Sequence, residues 1–174
     1  HFPKDIPIVP RNYLRIFFKR FAKKATHLIT VSHYSKTDIS TTYNIPEDRI
    51  TAIWNGVSDA YHPLTAQEQE TVQKKYSQDS EYILFVGSLH PRKNVFRLIE
   101  AYKQLKKDHP NRSEKLVIVG ENLFRSHAYQ SNIDHSIEHE ILFTGHLTLE
   151  ALSKVMGAAK IFAFVPYFEG FGIP

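Results

Sequence analysis

The sequence contains no cysteine and only one methionine and one tryptophan among its 174 residues. Without cysteine, the chain cannot form a disulfide bond or a thiolate metal site. Its longest apolar runs span five to seven residues, whereas a membrane-spanning helix needs roughly 20. The polar start, with Pro3, Pro7 and Pro10, does not resemble a secretory signal. We therefore expect a cytoplasmic protein, with association at a membrane surface as an alternative.

Two phosphate-binding patterns are also missing from the sequence. It has neither a G-x-G-x-x-G fingerprint nor a G-x-x-x-x-G-K-[ST] loop. Dinucleotide-binding and Walker-type sites therefore lack support. His135 and His139 stand four residues apart, a spacing that suits a metal on a helix. No third ligand accompanies them, so we expect no metal site.

Positive charge is concentrated in the first third of the chain. Residues 1–62 hold nine Lys or Arg against five Asp or Glu, while residues 63–174 hold thirteen of each. The periodicity over residues 11–25 predicts a helix whose apolar stripe faces the core. The opposite stripe is basic, and the cations of this segment are Arg11, Arg15, Lys19, Arg20, Lys23 and Lys24. A core helix with a solvated face and a helix lying on an anionic membrane are both consistent with this pattern. Nucleic acid is not an expected partner, because the aromatic residues fall on the apolar stripe.

The rest of the chain alternates between apolar runs and amphipathic segments. Strands are predicted at 26–32, 49–56, 82–87, 115–120, 141–145 and 160–166, and further helices at 36–43, 94–107 and 148–158. Continuous apolar strands indicate burial on both faces, as in a parallel sheet covered by helices. A connector without periodicity places a domain boundary near residue 62. The sequence therefore predicts an α/β protein with two units, residues 1–62 and 63–174.

Glycine ends three of the four strands predicted beyond residue 62. These are Gly87, Gly120 and Gly145, and the fourth strand runs through Pro166 into the "EGFG" loop. Ligands of open parallel sheets bind beyond the carboxyl ends of the strands. A single glycine here would indicate only a tight turn, but three of them together with the terminal loop favour a binding site.

The loop after the first of these strands reads "GSLHPRKN" and carries two cations. Arg92 and Lys93 precede a predicted helix, with Asn94 as its expected N-cap. Cations beside a helix N-terminus favour an anion, because the backbone N–H groups and the helix dipole add to their charge. A solvated basic turn is the alternative.

Taken together, these stretches resemble the group 1 (GT4-type) glycosyltransferases of the GT-B fold. The residues that carry the resemblance are "ILFVGSLHPRKNVFRLIEAY", "KLVIVG", "ILFTGHLT" and "EGFGIP", with "ATHLITVSHYSKTDI" and "ITAIWNGVSDAYHPL" upstream. The resemblance implies the end of an N-terminal Rossmann-like domain on the acceptor side, followed by the first half of a C-terminal Rossmann-like domain that binds the donor. It also implies transfer of a sugar from a nucleotide-diphosphate sugar to a glycan or lipid-linked acceptor, with retention, without a metal and without a cofactor.

The resemblance also implies roles for individual residues. Lys93 and Arg92 would neutralise the donor diphosphate, and Glu169 would contact the donor sugar as the first glutamate of an E-x7-E motif. Further donor contacts would come from the three strand-end loops and the terminal loop. They are Gly87, Ser88, Asn94, Gly145, His146, Leu147, Gly170, Phe171 and Gly172.

The sequence departs from the family pattern at two places. Ser88 stands where many members carry an arginine that contacts phosphate, and the second glutamate of E-x7-E would fall beyond Pro174. We therefore expect the chain to be part of a longer enzyme and inactive by itself. The other functions consistent with the sequence are a non-catalytic nucleotide-sugar-binding module and a peripheral membrane or interaction protein that uses the basic helix.

Overall fold

The computed structural model describes residues 8–121 and 137–173, which form two compact units. The first unit contains the residues up to Gly56 together with Phe168–Ile173, and the second contains Val57–Tyr167. Both are α/β units with parallel strands, which confirms the predicted fold class.

The first unit is built on a pair of parallel strands. Its elements are α1 (Ile8–Lys24), β1 (Leu28–Thr30), α2 (His33–Tyr43) and β2 (Ile50–Ala52). The described residues bury a small core of Ala22, Ile45 and Ile50. The Arg49 guanidinium donates to the backbone carbonyls of Ala25 and Lys23 at the end of α1. These bonds satisfy carbonyl groups that a helix end leaves without an intrahelical partner.

The apolar stripe predicted to bury α1 is largely exposed in the structure. Leu14, Phe18 and Phe21 are 41%, 47% and 55% exposed, and Ala22 is the buried residue of this helix. The helix itself forms as predicted. Its apolar face, however, is exposed to solvent among the described residues, so the expectation that this face is buried was wrong. No helix among the described residues is long and apolar enough to cross a membrane.

Helix α2 begins earlier than the sequence suggested. The sequence predicts this helix over 36–43, but it begins at His33 with Ser32 as its N-cap, and the Ser32 hydroxyl accepts a hydrogen bond from the Ser35 backbone N–H at 3.1 Å. Asn44 ends the helix in the left-handed region, with φ of 54°, which asparagine tolerates better than most residues. The corrected start places the N-terminus of α2 directly after β1.

The second unit is a four-stranded parallel sheet with helices between its strands. In chain order its elements are α3 (Ala66–Tyr76), β3 (Tyr82–Val86), α4 (Val95–Asp108), β4 (Lys115–Val119), β5 (Ile141–Gly145), α5 (Leu149–Gly157) and β6 (Ile161–Phe162). The strands lie in the order β5-β4-β3-β6. The predicted strands are therefore present, and the last is shorter than its apolar run.

Both faces of the two central strands, β3 and β4, are buried, as the continuous apolar runs predicted. The edge strand β6 departs from this prediction, because Ile161 and Phe162 are 47% and 39% exposed. Phe85, Leu116 and Ile118 belong to a core shared with α4. Leu84 and Val117 pack on the opposite side, in a core shared with α3 and α5. Alternate residues of each strand therefore meet different helices, which is the arrangement that parallel strands between helical layers require.

Helix α3 was not predicted from the sequence. Only Val72 of this helix is buried, so it has almost no apolar periodicity. Its start nevertheless carries a capping box, in which Thr65 and Glu68 each bind the other's backbone N–H. The T-x-x-E spacing was a sequence signal for this helix.

An ion-pair network joins the amino ends of three neighbouring strands. Lys160 contacts Glu81 at 2.6 Å and Glu114 at 2.7 Å, and Arg112 contacts Glu114 at 2.8 Å. Hydrogen bonds from Arg112 and Lys160 lower the pKa of the Glu114 carboxyl to about 2. This network therefore ties β3, β4 and β6 together at the sheet edge away from the strand-end glycines.

Candidate functional site

Three glycines meet at the carboxyl ends of β3, β4 and β5. The Gly87 N–H donates to the Val119 carbonyl at 2.9 Å, and the Gly120 N–H donates to the Gly145 carbonyl at 2.9 Å. The expectation that these loops lie along one edge of a single parallel sheet is therefore confirmed for Gly87, Gly120 and Gly145. This is the edge at which ligands of open parallel sheets bind.

Gly120 is the most constrained of the three glycines. A Cβ atom at this position would lie 1.9 Å from the Gly87 carbonyl oxygen, and its φ of +147° is rare for residues with a side chain. The β3 and β4 loops therefore approach each other by direct backbone contact. Only glycine permits such an approach.

The two predicted phosphate-binding cations lie in a short 3-10 turn, Pro91–Lys93. The Lys93 N–H donates to the His90 carbonyl at 2.8 Å, and the His90 imidazole accepts from the Arg92 N–H at 3.1 Å. The Cδ and Cε atoms of Lys93 lie 3.5 Å from where a Cβ of Gly87 would stand. The lysine stem therefore lies over the glycine that ends β3, at the sheet edge predicted for the site.

Asn94 lies at the predicted start of α4 but does not cap the helix with its side chain. Its backbone is left-handed, with φ of 62°. Its amide nitrogen donates to the Val165 carbonyl at 3.0 Å. Asn94 is therefore the N-cap residue, as predicted, but its side chain links the turn to the segment after β6 instead of capping the helix.

Three further contacts connect the turn and the start of α4 to that segment. The Tyr167 N–H donates to the Arg92 carbonyl at 2.9 Å, and the Arg97 guanidinium lies 5.4 Å from the centre of the Tyr167 ring. The Lys93 ammonium group lies 5.8 Å from the centre of the Phe164 ring. Sequence reasoning missed Val165 and Tyr167 as supports of the site, because they act through backbone groups, which leave no residue-type signature. It also missed Arg97, because a contact between residues 70 positions apart is not visible in a single sequence.

The Gly145–Leu147 loop has one exposed and one packed side chain. Gly145 has a φ of +71°, and the register of β4 with β5 shifts just before it. His146 is exposed, whereas Leu147 packs against the core shared with α3 and α5. A contact of Leu147 with a nucleotide base would therefore involve its backbone rather than its side chain.

The glutamate loop, Phe168–Ile173, is part of the first unit. The Gly170 carbonyl accepts hydrogen bonds from the hydroxyls of Ser32 at 2.5 Å and Ser35 at 3.2 Å. The Phe168 ring lies 5.9 Å from the Tyr34 ring. The start of α2 thus holds the backbone directly after Glu169, a role for Ser32 and Ser35 that the sequence did not indicate.

Neither the cavity beside α4 nor the histidine pair provides a second site among the described residues. A cavity of about 490 Å³ lies beside the end of α4, but Lys103 and Lys106 on its wall pair with Glu100 and Glu140. His135 lies outside the described residues. Within 8–121 and 137–173, no group of three or more side chains is arranged to hold a metal ion.

Two family models match the chain in succession. The model described as "Glycosyl transferases group 1" matches residues 66–174, and "Glycosyltransferase Family 4" matches residues 4–61. The chain is 28% identical to O-antigen chain mannosyltransferase B of Escherichia coli and 26% identical to O-antigen chain mannosyltransferase RfbU of Salmonella typhimurium. These alignments cover 89% and 95% of the chain. In both cases they span 43% of the relative.

The fold is similar to that of the Anabaena protein HepE, solved in complex with UDP and glucose. The TM-score is 0.75 at 20% identity, and the match covers 92% of this chain and 44% of HepE. This likeness, like the two family models, is consistent with the GT-B-like architecture.

We expect Gly120→Ala to destabilise the second unit, because the new methyl group would clash with the Gly87 carbonyl and the backbone would keep an unfavourable φ. The loss in free energy of unfolding should be about 2 kcal/mol or more, measured by urea denaturation followed by circular dichroism. Gly56→Ala is the matched control, since nothing lies within 4 Å of a Cβ there. Equal stability of the Gly120 variant and the parent would contradict the close approach of the two loops.

Proposed function

Because the chain belongs to the group 1 glycosyltransferases, we propose that its complete protein transfers a sugar from a nucleotide-diphosphate sugar to a glycan or lipid-linked acceptor. Residues 63–174 bind the donor, and residues 1–62 lie on the acceptor side. The chain spans less than half of the curated relatives it matches, so this activity belongs to the complete protein.

The observation that carries this proposal is the position of the "PRKN" turn. Lys93 lies over the strand-end glycine Gly87. Asn94 and Arg92 bind the segment that leads to the glutamate loop. The turn is thus held rigidly at the edge where parallel sheets bind ligands, and two of its side chains carry positive charge.

The chemistry gives these cations a catalytic task. When the bond between the anomeric carbon and the β-phosphate oxygen breaks, the electron pair leaves with the nucleoside diphosphate, which gains negative charge. Preorganised cations at the place where charge develops lower the barrier more than they stabilise the bound donor. In this proposal Lys93 and Arg92 supply that charge, transfer proceeds with retention, and no metal ion is required.

Glu169 and the backbone that follows it take the donor sugar. A carboxylate accepts hydrogen bonds from hydroxyl groups strongly, and Gly170 and Gly172 let the backbone come close to a ligand. The two curated relatives are both named as mannosyltransferases. GDP-mannose is therefore the first donor to assay, followed by UDP-glucose.

We expect Lys93→Ala in the complete enzyme to lower kcat about a hundredfold, because it removes a preorganised cation from the leaving group. Transfer should be measured with GDP-mannose and UDP-glucose in the presence of EDTA, and the anomeric configuration of the product read by NMR. Inversion of configuration, or activity lost with EDTA, would contradict retention or metal independence.

Lys107→Ala is the matched control for this experiment. Lys107 is an exposed lysine in the last turn of α4, away from the strand-end glycines. It should keep the parent activity. Turnover of Lys93→Ala within a few-fold of this control would refute the phosphate role. Donor binding without any turnover in the parent would indicate a nucleotide-sugar-binding module instead of an enzyme.

For Glu169→Ala we expect weaker binding of the nucleotide sugar but nearly unchanged binding of the free nucleoside diphosphate, because the carboxylate contacts the sugar alone. Calorimetry with GDP-mannose against GDP, and with UDP-glucose against UDP, separates the two. Glu70→Ala is the control, as Glu70 is an exposed carboxylate paired with Lys74 on α3. Equal losses for sugar nucleotide and free diphosphate would place Glu169 at the phosphates or make its role structural.

A second candidate function is suggested by α1. Its aromatic residues Phe18 and Phe21 are exposed, and the helix has six cations and no acidic residue. Exposed apolar side chains beside cations are the features by which a helix binds an anionic membrane surface. We propose that α1 brings the enzyme to such a surface, where a lipid-linked acceptor would be presented.

We expect the complete protein to sediment with vesicles of 30% phosphatidylglycerol and to be released at high salt, because salt screens the attraction. Replacing Arg15, Lys19 and Lys23 with glutamine should weaken binding at least about tenfold. The control replaces Lys74, Lys75 and Lys107 and should bind like the parent. Absence of sedimentation would contradict a role for α1 at an anionic membrane surface.

A further inference from the structure

His90 directly precedes the "PRKN" turn and is not among the donor contacts that the family resemblance implies. It is half-buried, between the end of β3 and the turn Pro91–Lys93. Its backbone is extended, with φ of −90° and ψ of 142°, which is the conformation of an N-cap residue. His90 therefore stands where the chain turns from the strand-end glycine Gly87 toward the two cations.

His90 binds both N–H groups at the start of the turn. Pro91 has no N–H group, so Arg92 and Lys93 carry the first two donors. The Arg92 N–H donates to the His90 imidazole at 3.1 Å, and the Lys93 N–H donates to the His90 carbonyl at 2.8 Å. A single residue thus holds the backbone of both cations proposed to meet the diphosphate.

The hydrogen bond from Arg92 requires a neutral imidazole. The acceptor is Nδ1 of His90, and a ring nitrogen that accepts a hydrogen bond carries a lone pair rather than a proton. The proton of the neutral ring is then on Nε2. In the imidazolium ion both nitrogens are donors, so protonation would direct two N–H groups at each other and break this bond. It would also add a positive charge beside Arg92 and Lys93.

Two neighbouring elements bind the turn and the residue before it. The loop after β4 accepts the Leu89 N–H through the Glu121 carbonyl at 3.1 Å, and the segment after β6 donates the Tyr167 N–H to the Arg92 carbonyl at 2.9 Å. The charged or titratable side chains on these elements, on the start of α4 and on the turn itself are Arg92, Lys93, Arg97, Glu121 and Tyr167. Three of these are cations and one is a carboxylate, so a protonated His90 would add to an excess of positive charge.

We propose that His90 is a positioning residue for the donor diphosphate, whose neutral imidazole caps the "PRKN" turn and whose protonation releases it. The Arg92 peptide joins the imidazole to the segment after β6, because its N–H binds His90 and its carbonyl binds Tyr167. Loss of the cap would therefore loosen the turn that carries Lys93 over Gly87. This inference rests on the proposed function and adds a dependence of donor use on the charge of one imidazole.

Two substitutions separate the cap from its titration. Asparagine Oδ1 and histidine Nδ1 are both one bond beyond Cγ, and asparagine is a common N-cap residue. His90→Asn thus keeps an acceptor that does not titrate, whereas His90→Ala removes it. With a nucleotide sugar that the complete protein uses, kcat/KM at pH 8 should fall about tenfold for His90→Ala and stay within about threefold for His90→Asn. Equal values for His90→Ala and the parent would overturn the cap.

The pH profile is the readout that a purely structural role would not move. Imidazole gains its charge in the range between pH 8 and pH 5, and kcat/KM reports the ionisation of the free enzyme. The ratio of kcat/KM in the parent to that in His90→Asn should fall at least about fivefold over this range. Taking the ratio cancels the titration of the donor and of residues that both proteins share. A constant ratio would overturn the proposal, and so would a rising one, which would indicate an imidazolium that contacts the phosphates.

His109→Asn is the matched control for the pH profile. His109 is an exposed histidine directly after α4, and it has no contact with the "PRKN" turn among the hydrogen bonds of the described residues. This variant should keep the pH profile of the parent.

Nitrogen NMR of the imidazole rings distinguishes failure of this inference from failure of the proposed function. The chain has ten histidines, and the signals of His90 are those absent from His90→Asn. At pH 8 Nε2 should carry the proton and Nδ1 should not, while a proton on Nδ1 would overturn the cap. If no donor supports transfer, the proposed function fails, yet these spectra still decide the state of the ring. If transfer depends on Lys93 but the ratio is constant, the function stands and this inference falls.

Discussion

The backbone contact between Gly87 and Gly120 is the constraint on which the candidate site depends. Because a Cβ at Gly120 would overlap the Gly87 carbonyl, the loops after β3 and β4 meet through their backbones, and the Gly145 carbonyl accepts a hydrogen bond from the Gly120 N–H. The stem of Lys93 lies over Gly87, with its Cδ and Cε atoms 3.5 Å from where a Cβ would stand. A side chain at Gly120 would force the two loops apart, because its Cβ would overlap the Gly87 carbonyl. The proposed chemistry thus depends on glycines at the strand ends, where the backbones approach each other directly.

Most of the second unit could be predicted from its sequence, and the reason is burial. The runs 82–86 and 115–119 are apolar without alternation, a pattern that fits strands covered on both faces. Such strands have parallel neighbours, and parallel strands bring their carboxyl ends to one edge. The convergence of Gly87, Gly120 and Gly145 follows from these two steps alone. The site cations were found in the same way, as the charges next to the first of these strand ends.

What the sequence did not reveal depends on contacts that residue type does not encode. Asparagine is a common N-cap residue, and Asn94 takes that position with a positive φ. Its side-chain amide, however, donates to the Val165 carbonyl instead of capping α4. Helix α2 begins at His33 rather than at residue 36, because Ser32 supplies the capping hydroxyl. The stripe of α1 has the periodicity of a buried face, yet periodicity reports only that apolar residues share a side and not that anything covers it. These residues are the ones for which tertiary contacts, and not local propensity, decide the outcome.

The stretch "PYFEGFGIP" contains residues of both units, because the second unit ends at Tyr167 and the following residues belong to the first. Tyr167 is bound to Arg92 within the second unit, while Gly170, three residues later, is bound to Ser32 and Ser35 within the first. In sequence, Glu169 therefore lies between a residue held through its backbone N–H and a residue held through its backbone carbonyl. A change that loosens either of these contacts would alter where its carboxylate can reach, even with the glutamate itself intact. The backbone on the two sides of Glu169 is therefore held by residues as distant in sequence as Arg92, through its carbonyl, and Ser32, through its hydroxyl.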